Sequence, residues 1–302
     1  MTSPSLYERS LERFDDLNRA GELLYNPTEP ERITRNGFIF RFRQSKALTT
    51  KPLTAIHNPK TSKNPFLPPD EEFIISRPNE SHTMILNKFC PLRPMLLIHT
   101  NEFESQNNDL NLSDISAVWS TFLELSEGLD KLNAKGREEE MEGDDKELMA
   151  TYGCGADAGA SQGHKHCQIF PKDGPLWPDD VLDKIPVFPQ TTTHSSPPYQ
   201  HYITRLPPSP TPEKLYEIYL ALLQPTKQHT QAYNFVLTKD WMLLIPRTKG
   251  KKGEYGVNAA GMMGMVWIKS VEERNAWDES DLTGFLEYCA LPNEARKEEN
   301  GA

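Results

Sequence analysis

The residues best equipped for chemistry lie between 159 and 171, in the order Gly159-Ala160-Ser161-Gln162-Gly163-His164-Lys165-His166-Cys167-Gln168-Ile169-Phe170-Pro171. The stretch begins with small residues, which let backbone approach a ligand and tolerate the dihedrals of a tight loop. From His164 onward it alternates, and a strand sends successive side chains to opposite faces. His164, His166, Gln168 and Phe170 are therefore expected on one face, and Lys165, Cys167 and Ile169 on the other. Two imidazoles and an amide then stand in a row beside a glycine-rich loop. Near neutral pH an imidazole can act as nucleophile, base or metal ligand.

Three readings of this pattern compete. A bare His-x-His is most often a strand with two surface histidines. It is also half of a metal site, but Cys167 points away from the pair and no Cys-x-x-Cys or His-x-x-x-His nearby completes a zinc set. In the third reading a nucleophilic histidine faces phosphates cradled by the loop. The loop composition, the period and Gln168, two places after the second histidine, favour the third.

The elements that must position these residues are legible around them. Tyr7, Leu11, Phe14 and Leu17 recur at helical spacing among charged residues, which predicts an amphipathic helix. Alternation predicts a strand over 38–43, and short apolar runs predict strands over 73–76, 83–89, 95–99 and 148–154. Apolar residues from Ile115 to Leu129 predict a helix over 110–133 with Ser113 as its N-cap. The acidic run 135–147 reads as a solvated loop. Beyond the motif, a strand is expected over 199–206, a helix with proline at its start over 212–224, and strands over 233–238 and 241–247. The last two echo the layout of 84–88 and 95–99, a faint internal repeat. Arg247, Lys249, Lys251 and Lys252 form the main basic concentration, read as a solvated hairpin or as a phosphate-holding one. A final helix is expected over 280–289, followed by a disordered tail over 293–302. Proline, serine and threonine cluster over 186–198, which reads as a connection between an N-terminal half, 1–185, and a C-terminal half, 199–302.

A chain of 302 residues with 37% hydrophobic and 25% charged residues describes an ordinary globular protein with ample core. The formal charge of −10 argues against a general nucleic-acid binder. Cys90, Cys154, Cys167 and Cys289 fit no disulfide framework, so a reducing compartment is expected, the cytoplasm and by extension the nucleus. No apolar run approaches a membrane span, and no signal-peptide core stands at the N-terminus.

Taken together, these residues resemble the fungal diadenosine tetraphosphate phosphorylases, also called ATP adenylyltransferases, of the histidine-triad and galactose-1-phosphate uridylyltransferase superfamily. The resemblance rests on Asn64-Pro65-Phe66 with Pro69-Asp70-Glu71-Glu72, Leu86-Asn87-Lys88-Phe89, and Gly159-Ala160-Ser161-Gln162 with His164-x-His166-x-Gln168. It continues in Tyr233-Asn234, Leu237-Thr238-Lys239, Trp241, Pro246-Arg247 and Val257-Asn258 through Gly264-Met265. The order is kept over nearly the whole chain. Two departures stand out: Tyr152-Gly153-Cys154-Gly155 where the family usually has Tyr-Asn-Cys-Gly, and Leu92-Arg93-Pro94-Met95 where it has Val-Pro-Glu-His.

The resemblance implies an α+β, histidine-triad-like fold, with two similar halves around a mainly antiparallel sheet. The N-terminal half would be the phosphorylase half carrying the motif, and the C-terminal half the adenylyltransferase half. The implied reaction is cleavage of a dinucleoside polyphosphate by inorganic phosphate to ATP and ADP, with further action on ADP and phosphate or sulfate analogues. His166 matches the nucleophile and His164 a residue that orients it. Gln168 stands where the hydrolases of the superfamily have a third histidine. An amide cannot protonate a leaving group but binds phosphate oxygens, which suits transfer from a good leaving group such as ATP. Ser161 and Gln162 match the α-phosphate cradle, Asn87 a ribose contact, and Lys51 and Lys269 basic positions near the polyphosphate. No covalent cofactor is implied, and magnesium or manganese would arrive on the substrate's phosphates. The alternatives are a hexose-phosphate uridylyltransferase, whose motif has proline after each histidine where this chain has Lys165 and Cys167, and a nucleotide-binding protein without turnover.

Overall fold

The computed structural model describes residues 3–49, 64–134, 147–253 and 255–296. Lys51 and most of the acidic run 135–147 lie outside them.

Helix α1 (Leu6–Ala20) opens on a reciprocal cap in which Ser5 and Glu8 each bond the other's backbone N–H. It buries Tyr7, Leu11, Phe14 and Leu17, the predicted stripe. Strands β1 (Leu24–Tyr25), β2 (Glu31–Arg35) and β3 (Phe38–Gln44) follow, then β4 (Ile74–Asn79), β5 (His82–Leu86), β6 (Phe89–Cys90) and β7 (Leu96–Thr100). Helix α2 (Leu112–Ala134) is capped two residues before the expected position. Asn111 accepts from Asp114 N at 2.9 Å while Asp114 accepts from Asn111 N at 2.8 Å, so Ser113 lies inside the first turn. An asparagine side chain reaches the orphan N–H groups as well as serine does. Then come β8 (Leu148–Cys154), β9 (His166–Pro171), α3 (Trp177–Asp180), β10 (Tyr202–Arg205) and α4 (Pro212–Lys227), whose N-cap is Thr211. Strands β11 (Ala232–Leu237), β12 (Trp241–Arg247), β13 (Lys251–Lys252) and β14 (Tyr255–Gly256) lead to α5 (Ala259–Met262), β15 (Met265–Ile268), α6 (Val271–Glu279) and α7 (Leu282–Cys289).

The fold is α+β, and its main sheet has eight strands in the order β10-β12-β11-β8-β9-β7-β5-β4, each neighbouring pair antiparallel. Strands from both halves of the chain share it, joined where β8 pairs with β11. Residues opposite one another project to the same face. The register sets His166 opposite His99, Gln168 opposite both Leu97 and Thr151, and Gly153 opposite Asn234. These residues form one face. The other face, with Cys167, Ile169, Ala150, Tyr152 and Phe235, is covered by helices α2 and α4, which also pack on each other. That division is why the alternation of β9 matters: its odd-numbered side chains belong to the core beneath the helices, and its even-numbered ones to the opposite face.

The even-numbered face is partly roofed by a three-stranded sheet in which β2 pairs antiparallel and β15 parallel with β3. Phe170 of β9 meets Trp267 of β15 edge to face at 5.4 Å. Of the expected tail over 293–302, residues 297–302 lie outside the described residues, and the described start of it is ordered. Asn293 is 2% exposed and donates to the carbonyls of His194 and Pro197, which pins this residue to the 186–198 connection.

Candidate active site

His166 sits at the start of β9 with its ring on the roofed face. Its Nδ1 lies 2.9 Å from the carbonyl oxygen of His164. A carbonyl only accepts, so Nδ1 carries the proton and the ring's lone pair belongs to Nε2. The same device orients metal-binding and nucleophilic imidazoles generally: one nitrogen is tied to an acceptor and the other becomes the reactive atom.

His164 has a different environment. Its Nε2 donates to Thr100 O at 2.9 Å with the Thr100 hydroxyl oxygen at 2.8 Å, and its Nδ1 faces the side-chain amide of Asn64 at 3.0 Å. Both nitrogens are engaged, the residue is 2% exposed, and burial lowers its pKa. This imidazole is neutral and fixed. Phe66 knits the site together, stacking on the His99 ring at 4.7 Å and meeting the rings of His164 and His166 at 5.3 and 5.5 Å. His99 is itself buried, its pKa pushed down to about 4 mainly by desolvation.

On the helix side of β9, Lys165 carries out a structural task. It pairs with Asp114 of α2 at 2.7 Å and with Glu104 at 2.9 Å. Burial is the largest single influence and works against its charge, yet the hydrogen bonds and charges of Asp114 and Glu104 together outweigh it and raise its pKa. Asp114 is held in turn by His82 at 2.9 Å. The network ties α2 to the strand that carries the motif.

The glycine-rich loop is shaped from below by Asn234 and Arg247. Asn234 donates to Ala158 O at 2.8 Å. Arg247, 1% exposed, bonds the Asn234 side-chain oxygen and donates to the carbonyls of Cys289, Lys249 and Val257, each at 2.9 Å. The basic run is therefore split. Arg247 is buried scaffold, Lys251 and Lys252 are exposed on a hairpin, and Lys249 lies 4.2 Å from the Tyr288 ring. At Gly159, φ is +79° and a Cβ would come within 2.5 Å of Val257 O, so only glycine fits there. The result is a small pocket between Gly153, Ala158–Ala160, His166 and Gln168, closed on one side by Asn258 and Ala259 at the start of α5.

The expected site residues are thus distributed as follows. His166 and Gln168 line one pocket, with Gln168 half-buried. Ser161 and Gln162 are half-buried, and the pocket wall beside His166 is made by Ala158, Gly159 and Ala160 instead. Asn87, just beyond β5, is 8% exposed; its oxygen accepts from Phe89 N at 3.1 Å and its amide faces the Met95 sulfur at 3.3 Å. Lys269 follows β15 and is half-buried, its backbone N–H bonded to Glu273. Lys51 lies outside the described residues. Among the described residues no group of three His, Cys, Asp or Glu side chains is placed to hold a metal ion.

Four participants were not singled out from sequence: Gln106, Asn64, His99 and Arg247. Gln106, 2% exposed, accepts from His166 N at 2.8 Å and donates to Gly153 O at 2.9 Å. Asn64 belongs to a motif of the resemblance but had no role attached, and Arg247 was read with its basic neighbours. No periodicity marks any of them, because each acts through partners far away in the chain.

An antiparallel sheet here presents a tautomer-fixed histidine and an amide to a glycine-lined pocket, the equipment a nucleotidyltransferase needs. Residues 1–137 match the model of the Ap4A phosphorylase N-terminal domain, and residues 195–292 that of the ATP adenylyltransferase C-terminal domain. The chain belongs to the Ap4A phosphorylase (ATP adenylyltransferase) family. It is 25% identical to diadenosine 5',5'''-P1,P4-tetraphosphate phosphorylase 2 of Saccharomyces cerevisiae, over 98% of this chain and 97% of the relative. Protein APA1 of the same yeast is 24% identical over 79% of each chain. The crystal structure of yeast Ap4A phosphorylase Apa2 in complex with Ap4A superimposes with a TM-score of 0.77 at 23% identity, covering 98% of this chain and all of that one.

Proposed function

We propose that this protein is a diadenosine tetraphosphate phosphorylase that works through an adenylyl-histidine. Nε2 of His166 attacks the α-phosphorus of one adenylate. The P–N bond forms, the bond to the bridging oxygen breaks, and ATP leaves. An oxygen of inorganic phosphate then attacks the same phosphorus, the P–N bond breaks, and ADP is released. The covalent intermediate divides one displacement between two polyanions into two steps, each with its nucleophile already in place. The observation that carries this reading is the bond from His166 Nδ1 to the carbonyl of His164, beside the loop pocket and Gln168. The full-length likeness to named phosphorylases supports it.

Gln168 and the backbone N–H groups of the loop, with Ser161 and Gln162 at its far end, contact the transferred phosphate in this reading. Asn87 contacts ribose, Lys51 and Lys269 hold the remaining phosphates, and ADP with phosphate or sulfate analogues are further substrates. Magnesium or manganese comes with the polyphosphate as part of the substrate. Residues 1–185 serve as the phosphorylase half and 199–302 as the adenylyltransferase half, linked through 186–198. All four cysteines are free thiols and buried, which supports the cytoplasm, and by extension the nucleus, as the compartment. Among the described residues no helix is long and apolar enough to cross a membrane.

The test is incubation with diadenosine tetraphosphate, with and without phosphate, followed by anion-exchange separation of products. ATP plus ADP, formed only when phosphate is present, is expected. AMP plus ATP without phosphate would mean hydrolysis and sink the proposal.

A further inference from the structure

Strands β8 and β9 pair only as far as Thr151 opposite Gln168. Two residues further along, Gly153 would face His166, but the strands have parted. In an antiparallel pair the N–H and C=O of one residue point to the same side, so parting leaves both polar groups of His166 in need of partners. The side chain of Gln106 supplies them. Its Oε1 accepts from His166 N at 2.8 Å, and its Nε2 donates to His166 O at 3.2 Å and to Gly153 O at 2.9 Å. A carboxamide has the donor and acceptor of a peptide unit, so one side chain stands in for the missing piece of strand.

The backbone of Gln106 reaches the same loop from both ends. Its N–H donates to Gly163 O at 2.9 Å, and its carbonyl accepts from Gly155 N at 3.0 Å and from the Tyr152 hydroxyl at 2.9 Å. The glycine-rich loop therefore leaves and re-enters the sheet at bonds to one residue, which also lines the pocket beside His166 and Gln168.

We propose that Gln106 is a positioning residue: its carboxamide is a spacer that holds β8 and β9 apart by the width of the phosphate pocket while fixing the backbone of the nucleophile. Without it the two strands either zip together, closing the pocket, or separate, letting His166 drift. This rests on the phosphorolysis reading, since it presumes that His166 attacks a phosphate seated there. The chemistry demands an amide. An ionised carboxylate accepts from His166 N but has no donor for two carbonyl oxygens, whereas a protonated carboxyl has one donor and one acceptor and restores most of the pattern.

Gln106→Glu and Gln106→Leu are compared with wild type in single-turnover formation of the protein-bound adenylate from diadenosine tetraphosphate labelled at the α-phosphate. The assay runs well below the melting temperature of each. At pH 8 both variants should form the adduct about tenfold or more slowly. On acidification to pH 5.5 the rate of Gln106→Glu relative to wild type should recover, while that of Gln106→Leu should not. A scaffold role alone would lower melting temperatures without this acid recovery. Adduct formation at the wild-type rate in Gln106→Leu, or a pH-independent ratio for Gln106→Glu, overturns the role of Gln106; if Gln106→Leu does not fold, Gln106→Glu decides. A wild-type protein that forms no adduct overturns the phosphorolysis reading itself.

Discussion

Asn64 and His164, 100 residues apart in the chain, are joined at 3.0 Å between the Asn64 amide and the His164 ring. With Nε2 already donating to Thr100, the first histidine of the motif has no nitrogen left for chemistry, whereas its backbone carbonyl sets the tautomer of the second. The two imidazoles, alike in composition, are assigned different tasks by what surrounds them.

Substitution separates the two tasks. His166→Ala removes the atom proposed to attack and should abolish adduct formation, a loss of about four orders of magnitude or more. His164→Ala keeps the carbonyl that orients His166 and removes the ring packing and the bonds to Asn64 and Thr100, so turnover should fall by roughly 10–100-fold with the adduct still detectable. Mapping acid-labile, base-stable label to peptides decides between them. Label retained in the His166→Ala protein would contradict the assignment.

Acid should destabilise the protein well above the range in which carboxylates titrate. His99 is 1% exposed with a pKa of about 4 in the folded chain, against an ordinary value near 6.5 when unfolded. Between those values the unfolded chain binds a proton that folded His99 refuses, so stability falls as pH falls from 7 towards 4. This residue accounts for about 2 kcal/mol by pH 5. His201, also pushed down to about 4 by burial, adds to the same trend. Melting temperatures at pH 7.5 and 5.0 should therefore differ less in His99→Leu than in wild type, and an equal or larger drop would rule out the histidine as a source.

Arg247 tests whether the site floor and the fold are one structure. Burial lowers its pKa to about 10, so it remains charged at neutral pH while surrounded by carbonyl oxygens. Arg247→Met strips several buried acceptors of their donor and should cost about 3–5 kcal/mol. Arg247→Lys keeps the charge but not the planar fork, and should fall between the two. Thermal melts check this order; a wild-type melting temperature for the methionine variant would show that the carbonyls find other donors.

Gly159→Ala isolates the shape of the loop, with Gly21→Ala as its control. Both glycines have φ near +78°, so both substitutions carry a strain of about 1–2 kcal/mol. At Gly21 an added methyl meets nothing within 4 Å, but at Gly159 it collides with Val257 O and the Asn258 backbone. Gly21→Ala should lose stability through the strain alone and Gly159→Ala more, because the collision adds to it, with KM for the dinucleotide raised about tenfold or more only in Gly159→Ala. Equal kinetics in the two variants would remove Gly159 from the pocket wall.

How much was legible follows the range of the interactions. The alternation of β9 was readable because a strand buried on one face writes its period locally. Its consequence, Cys167 towards α2 and Gln168 towards the loop, matches the structure. Strand β2, Glu-Arg-Ile-Thr-Arg, was missed because it is an edge strand with one half-buried residue, Ile33, and no alternation to detect. Helix α6 escaped because it buries only Trp277 and presents no stripe. Arg247 looked like part of a solvated hairpin because the carbonyls that surround it come from three separate segments. Gln106 sits in the polar run Ser105-Gln106-Asn107-Asn108, which reads as an ordinary loop until the parted strands above it are seen.

The parallel pairing of β15 with β3 has a consequence for how the molecule comes into being. On one side β3 is covered at once by β2, its neighbour in sequence, but the other side stays open until Met265–Ile268 has been made. At translation rates of roughly 5–20 residues per second that wait is on the order of tens of seconds. Through it, an aromatic strand carrying Phe38, Phe40 and Phe42 offers an unpaired edge of the kind that recruits other chains. The enzyme cannot mature half by half on the ribosome: β15, the last strand among the described residues, is the one that shields β3, and a message truncated before it would leave a sticky product even though its eight-stranded sheet is complete.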